Sequence, residues 1–273
     1  MTDTHTTHSF SLSLSLSLSC GVQLFLFVFL SPIADYGPYA KKMLILSTGV
    51  GATCLTAIAF CDDTSWEISA VLFVLGNCAF GLSTVFYNGF LPKLTTPDTY
   101  DKVSTLGIAW GYFGGQLCLF VMFVPLLGIS EEDHCLRGLA YGIGLTGIWW
   151  AVFAALSFTK LPNVDGKPVE PDQSLVTLGP KNCRATLTTI LNDYPETGKF
   201  LLAYFVYSDG LSTIIDTVLV FADEELCMTF DDTIILLIVV DMTSGIGAWL
   251  SEKIVNRKIL STKSTGERLL RGM

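Results

Sequence analysis

Long apolar runs alternate with short polar segments along most of this chain. Six runs, bounded by charged residues or proline, come close to or exceed the roughly 20 residues that an α-helix needs to cross a bilayer. They lie at 43–61, 66–91, 104–128, 137–159, 200–221 and 232–250. A poorer candidate covers about 12–30, where alternating Ser and Leu lead into a more apolar segment. The pattern predicts an all-α membrane protein with about seven transmembrane helices.

The composition agrees with this prediction. Hydrophobic residues make up 51 % and charged residues 15 % of the chain, whereas soluble domains carry about 25 % charged residues. The 8 cysteines contain no C-x-x-C pair and lie mostly in apolar runs, which favours buried small side chains over a metal site. No Ser, His and Asp arrangement is visible. The sequence therefore predicts no enzyme activity, no cofactor and no nucleic-acid partner, with membrane lipid as the surrounding medium.

Charge predicts how the spans are oriented. Of the 16 Lys and Arg residues, all but Arg137 fall in alternate loops, and acidic residues fill the opposite loops. Since basic loops stay on the cytoplasmic side, Lys93 and the polar stretch 160–199 should face the cytosol. Glu131 and Glu224 should then face the lumenal side.

The run 200–221 carries two aspartates, Asp209 at its middle and Asp216 seven residues later on the same helical face. A carboxylate at the bilayer centre is costly, so it should face a bundle interior or a wet cavity. Ser212 lies on the same polar stripe. These residues are candidates for a solute or proton pathway, and the alternative is that a neighbouring helix satisfies them and they only hold the bundle together.

A second polar face follows the run 66–91, where Asn77, Gly81, Thr84 and Asn88 recur at helical spacing. Asn77 and Asn88 are candidates for lining the same pathway, and interhelical hydrogen bonding explains them equally well.

Glycines recur in two other spans. The segment GIGLTG at 142–147 fits the spacing of a dinucleotide-binding loop, but it lies inside an apolar run and no strand precedes it. It predicts close helix packing instead. Gly107, Gly111 and Gly115 form two successive G-x-x-x-G steps, which also predict a close approach of a neighbouring helix.

The segment DYGPYAKK, with Asp35, Gly37, Lys41 and Lys42, is a tight basic turn between two spans. It resembles the cytoplasmic loop between helices two and three of the major facilitator superfamily, in which the aspartate caps a helix and the glycine permits the turn. On that resemblance the spans from 43–61 onward are helices three to eight. A second such turn, GIGAWLSEKIVNR, follows the predicted helix eight.

Four further segments resemble the vacuole effluxer family of autophagy-related protein 22 within that superfamily. They are VFYNGFLP and DKVSTLGIAWGYFGG in the predicted helices four and five, and FLLAYFVYSDGLSTI and FADEELCM around helix seven. The resemblance implies a major-facilitator-type helix bundle, with about seven helices present out of an expected twelve. It implies a low-complexity N-terminus with a partial helix at 1–30, an N-terminal bundle at 31–159, a cytosolic inter-half loop at 160–199 and the start of a C-terminal bundle at 200–273.

The function implied by the resemblance is secondary transport in the vacuole membrane. Amino acids released by autophagic degradation would be the small-molecule substrate, exported to the cytosol. The alternative left open is a truncated, non-transporting membrane relative or a fragment of such a carrier.

Overall fold

The computed structural model describes residues 19–36, 38–61, 66–97, 99–123, 131–163, 166 and 175–271. The elements in these ranges are helices, which confirms the predicted all-α class. The first, α1, covers Ser19–Asp35 and ends in a 3-10 turn over Ser31–Asp35. The others are α2 Tyr39–Ile58, α3 Trp66–Leu94, α4 Tyr100–Phe123, α5 Glu131–Lys160, α6 Leu175–Asp193, α7 Pro195–Glu224 and α8 Phe230–Arg271.

Four of these helices contain a stretch long and apolar enough to cross a membrane. The stretches are Glu67–Leu94, Tyr100–Met122, Ala140–Lys160 and Asp231–Ser251. The predicted spans at 43–61 and 200–221 are also helical, as α2 and α7. Residues 12–18 of the predicted first span lie outside the described residues.

The helices group into two compact units. Unit one spans Met1–Phe90 and Ile129–Phe221, and unit two spans Leu91–Gly128 and Ala222–Met273. Unit one therefore holds α1 to α3 and α5 to α7, whereas unit two holds α4 and α8. The division into two bundles joined by the stretch 160–199 stays a prediction.

Unit one has its apolar core where α1, α2 and α3 meet. Phe86 and Phe90 of α3 are only 3 % and 2 % exposed. They pack with Ala34, Ala40, Leu44 and Leu82, and Phe158 and Leu161 from the end of α5 pack against this cluster. Away from the core, large apolar side chains such as Phe60, at 82 %, are exposed. Such a surface suits a lipid environment.

The glycines of GIGLTG bring α5 against α2. A Cβ atom built on Gly147 would lie 2.6 Å from the Thr56 hydroxyl oxygen and 2.7 Å from the Ala52 carbonyl oxygen. One built on Gly144 would collide with Ala59. The prediction that this segment serves helix packing is confirmed.

The basic turn between α1 and α2 ties α2 to the end of α5. The Lys41 ammonium donates a hydrogen bond of 2.7 Å to the carbonyl of Leu161, the first residue after α5. Lys42 is exposed and lies 5.9 Å from the centroid of the Tyr39 ring. The Lys41 ammonium suits this place at the C-terminus of α5, where carbonyl groups lack partners within the helix.

Asp35 does not cap the helix that follows this turn. Asp35 ends the 3-10 turn of α1 with an exposed side chain, and the N-cap of α2 is Pro38, without a side-chain hydrogen bond. A carboxylate three residues before the N-cap is too far back along the chain to replace an N-cap side chain. Gly37 lies outside the described residues.

Helix α6 lies within the stretch expected to be a polar loop. Its Gly179 packs against the backbone of Val28 and Phe29 in α1, since a Cβ there would collide with the Val28 carbonyl. The amide of Asn182 donates a hydrogen bond of 3.2 Å to the Tyr36 hydroxyl. The stretch therefore contributes a helix that docks on the end of α1.

Unit two consists of α4 packed on α8. Thr229 and Asp232 form a reciprocal capping box at the start of α8. The Thr229 hydroxyl and backbone amide donate hydrogen bonds of 2.8 and 3.1 Å to the Asp232 carboxylate. In return, the Asp232 backbone amide donates a hydrogen bond of 3.3 Å to the Thr229 hydroxyl. Gly245 of α8 lies close to α4, where an added Cβ would be 3.3 Å from the Cβ of Tyr112. The cap defines where α8 begins, and the close approach at Gly245 brings α8 against α4.

The glycine steps predicted in α4 do not all face a helix. An added Cβ on Gly115 would meet the Asp241 carboxylate of α8 at 3.5 Å, whereas one on Gly111 would meet nothing described within 4 Å. The expectation that Gly111 lies in the packed face is wrong. The G-x-x-x-G repeat predicts that a helix packs closely on α4, but the position of α8 determines which glycine it contacts.

Candidate functional site

The predicted pathway residue Asp209 lies in α7 with an exposed side chain. Its carbonyl accepts a hydrogen bond of 2.9 Å from the Thr213 hydroxyl, which is a contact within the helix. Ser212 is exposed on the same helix, and the side chain of Asp216 lies outside the described part. The described contacts do not bring Asp209 together with Asn77 or Asn88, so its role in a pathway stays a prediction.

Asn77 lies at an interface between helices of unit one. Its amide donates a hydrogen bond of 2.8 Å to the Ser19 hydroxyl of α1, and the Gln23 amide donates to the Asn77 carbonyl at 3.3 Å. Gly81, one turn further along α3, also faces Gln23. These contacts favour interhelical hydrogen bonding for Asn77, whereas Asn88 is exposed at the other end of the predicted polar face.

The clearest candidate site lies in unit two, in a cavity of about 660 Å³ between α4 and α8. Its lining residues form one stripe on each helix, and they are Leu106, Ala109, Trp110, Tyr112, Phe113, Gln116, Leu117, Phe120, Asp241, Met242, Gly245, Ile246 and Trp249. Small-molecule sites have volumes of about 300 to 1,000 Å³ and combine apolar walls with a few polar groups. This cavity has both properties.

Asp241 is the one charged residue among those that line the cavity. It lies at the middle of the 21-residue apolar stretch Asp231–Ser251 and is only partly exposed. Its carboxylate lies close to the α4 backbone, since a Cβ atom built on Gly115 would be 3.5 Å from it. A carboxylate at this depth is costly and marks a functional site unless another role explains it.

Gln116 carries an unsatisfied amide. Both its nitrogen and its oxygen are buried, and neither has a hydrogen-bond partner in the described part of the chain. Leaving a buried polar group unpaired costs about 1–3 kcal/mol, so such a group calls for a ligand or another explanation.

Aromatic residues form much of the remaining wall. Trp110 and Phe113 of α4 contact each other edge to face, with ring centroids 5.7 Å apart. Trp249 of α8 lies near the end of the cavity, and the Lys253 ammonium sits 3.5 Å from the centroid of its ring. This cation–π contact holds the indole in place one turn before the basic segment that follows the span.

Sequence reasoning missed Asp241 and Gln116 as residues of this cavity. The argument that singled out Asp209, a carboxylate at the centre of an apolar run, applies equally to Asp241. Gln116 gives no such signal, because a single glutamine in an aromatic-rich span does not reveal which neighbour it meets.

The family described as Vacuole effluxer Atg22 like matches residues 2–267. Autophagy-related protein 22-1 of Phaeosphaeria nodorum is 25 % identical over 86 % of this chain and 50 % of its own length. Autophagy-related protein 22 of Candida glabrata is 26 % identical over 81 % of this chain and 48 % of its own length. The uncharacterized MFS-type transporter YxiO of Bacillus subtilis is 27 % identical over 68 % of this chain and 44 % of its own length.

The chain spans about half the length of the curated relatives it matches. No solved structure matches it.

Proposed function

This chain belongs to the Atg22-like family of vacuole effluxers, and we propose that it is a secondary transporter that carries amino acids from the vacuole to the cytosol. It would work as an integral, multi-pass protein of the vacuole membrane. The family match, the relation to an MFS-type transporter and the apolar helices of membrane-spanning length all support this proposal.

The observation that carries the proposal is the placement of Asp241 and Gln116 in the cavity between α4 and α8. On the helix numbering implied by the resemblance, α4 is helix five and α8 is helix eight, so the cavity lies between a helix of each predicted half. Secondary transporters bind their substrates near the bilayer midplane where the two halves meet. A site near the midplane requires residues at the middle of a spanning helix, and Asp241 lies at the middle of its span.

In this mechanism, rocking of the two halves opens the cavity to one side of the membrane at a time. Asp241 holds the substrate while the exposure changes, because it is the one charged residue that lines the cavity. Asp209 on α7 is a further candidate for the same pathway, through the substrate or a coupled proton.

Amino-acid pools in starved fungal cells test this proposal. We would express the chain in cells that lack their own Atg22-type effluxer and measure amino acids in isolated vacuoles during starvation. The expected result is a lower vacuolar pool with the wild-type chain than with Asp241→Asn at equal abundance in the vacuole membrane. Equal vacuolar pools with the wild-type chain and with an empty vector would contradict the proposal.

A further inference from the structure

We propose that helix α6 carries a binding surface for anionic phospholipids, in which Lys181 and Arg184 bind the headgroup while Leu187 and Leu191 enter the apolar layer beside it. This surface belongs to unit one and does not depend on the transport activity proposed above.

The start of α6 is anchored near the end of α1. Gly179 packs against the α1 backbone at Val28, and the Asn182 amide donates its hydrogen bond to the hydroxyl of Tyr36, the residue after α1. Val28 lies two residues before the end of the predicted span 12–30. These contacts hold the start of α6 where an apolar helix ends, which in a bilayer is the level of the lipid headgroups.

The other end of α6 is anchored at the start of a second predicted span. Tyr194 alone separates α6 from α7. Ile190 contacts the first turn of α7, since a Cβ atom built on Gly198 would lie 3.5 Å from the Ile190 side chain. The predicted span 200–221 begins two residues after Gly198. Both ends of α6 are therefore tied to the headgroup level.

One face of α6 combines cations with exposed apolar side chains. Lys181, Arg184 and Thr188 follow one another at steps of three and four residues, and Leu187 and Leu191 follow Arg184 at three and seven. These steps place the five residues on one broad side of the helix. All five are exposed, and the two leucines are exposed by 56 % and 61 %. Such a face suits a helix that lies in the membrane interface.

The two cations favour an anionic ligand. Among the described residues, no acidic side chain forms a salt bridge with Lys181 or Arg184. A guanidinium group matches the oxygens of a phosphate with two parallel hydrogen bonds, and a neighbouring ammonium adds a second positive charge. Both residues line a cavity of about 680 Å³, whose described wall also contains Pro180, Ala185, Thr188 and Thr189. This volume lies within the range of small-molecule sites.

The leucines favour a lipid over a soluble phosphate. A free phosphate would pair with the cations and leave Leu187 and Leu191 in water. A phospholipid contacts both groups, because Lys and Arg side chains extend along apolar surface and keep their charged ends among the headgroups. On the predicted cytosolic side, where the stretch 160–199 is expected, anionic lipids give the membrane a negative surface potential that attracts basic residues. An anionic phospholipid therefore satisfies the charge and the apolar surface together.

Lipid binding to the purified full chain in detergent micelles tests the proposal. The probes are dioctanoyl phosphatidylserine, dioctanoyl phosphatidylcholine, which has no net charge, and glycerophosphoserine, which carries the anionic headgroup without acyl chains. Native mass spectrometry gives the dissociation constant of each. A basic residue near an anionic lipid contributes about fivefold in affinity, so two should give a preference for phosphatidylserine over phosphatidylcholine of roughly 25-fold. Equal binding of the two lipids, or binding of glycerophosphoserine as tight as that of phosphatidylserine, would overturn the proposal.

Charge variants assign the preference to α6. Lys181→Gln and Arg184→Gln should each lower the preference for phosphatidylserine about fivefold and leave the affinity for phosphatidylcholine unchanged. Lys199→Gln is the matched control, because Lys199 is an exposed lysine of the neighbouring α7 that already pairs with Glu196 at 2.8 Å. It should keep the preference. Equal losses in Lys181→Gln and Lys199→Gln would show an effect of net charge alone and overturn the assignment to α6.

A leucine variant tests the apolar half of the surface. Leu187→Ser should weaken phosphatidylserine and phosphatidylcholine by one common factor, because it removes apolar contact and no charge. Unchanged affinity for both lipids would remove the leucine from the surface and contradict the proposal. Where a variant does not fold, the three probes on the wild-type chain decide.

Discussion

Replacing Gly147 by alanine tests the packing of α5 on α2. The new Cβ would lie 2.6 Å from the Thr56 hydroxyl oxygen, 2.7 Å from the Ala52 carbonyl oxygen and 2.8 Å from the Thr56 amide nitrogen. Two of these atoms belong to the α2 backbone and cannot rotate away. Since non-bonded atoms prefer separations of about 3.5–4.0 Å, the helices must move apart by roughly 1 Å.

The size of the effect follows from two opposing terms. Overpacking of this kind costs about 1–3 kcal/mol. Alanine gains about 1 kcal/mol over glycine in helix propensity. Gly111→Ala supplies the same gain on α4, where an added Cβ meets nothing described within 4 Å. The propensity term therefore cancels between the two variants, and their difference of about 1–3 kcal/mol is the steric cost.

Reversible unfolding in mixed detergent micelles would measure this difference. We expect Gly147→Ala to unfold at a lower denaturant concentration than wild type, and Gly111→Ala to unfold at an equal or higher one. A second change, Thr56→Ala, removes the hydroxyl contact but leaves the carbonyl of Ala52, so it should restore only part of the loss. Equal stability of the two alanine variants would refute the assignment of Gly147 to the helix contact.

Two other predictions concern the basic turn before α2 and the orientation of the chain in the membrane. Lys41→Met removes the hydrogen bond to the Leu161 carbonyl and should cost about 1 kcal/mol of stability in the same unfolding assay. The control Lys42→Met removes an exposed side chain and should cost much less. Equal losses of stability would contradict this role of Lys41. Native Cys183 on α6 and Cys227 between α7 and α8 are both exposed, and a membrane-impermeant maleimide added to intact vacuoles should label Cys183 and spare Cys227. The reverse labelling would overturn the predicted orientation.

The sequence predicted the helices of this protein well because their signal is local. A run of apolar residues bounded by charge specifies a spanning helix whatever the rest of the chain does, and α3, α4, α5 and α8 all lie where such runs predicted them. The packing role of GIGLTG within a helix was also predictable, because the segment lies inside an apolar run and no strand precedes it. Helix α6 was missed since its polar composition and Pro180 resemble those of a linker, and its docking on α1 depends on Gly179 meeting residues distant in the chain.

The candidate site could be predicted only in part. A carboxylate in the middle of a span is visible in the sequence at both Asp209 and Asp241, but the sequence does not reveal which of them faces a cavity. That depends on how α8 packs on α4, where Gly245 comes close to Tyr112. Gln116 becomes a candidate only when the packing leaves its amide buried without a described partner.

The most direct test of the account is the flux of radiolabelled amino acids through the purified chain in sealed liposomes. Liposomes would be loaded with a mixture of labelled amino acids, and efflux would be followed for wild type, Asp241→Asn and the control Gly111→Ala at equal protein density. The account predicts rapid efflux of at least one amino acid by wild type and by Gly111→Ala, and at least a tenfold slower efflux of the same amino acid by Asp241→Asn. Efflux at the wild-type rate by Asp241→Asn, or no efflux above protein-free liposomes by the wild-type chain, would contradict it.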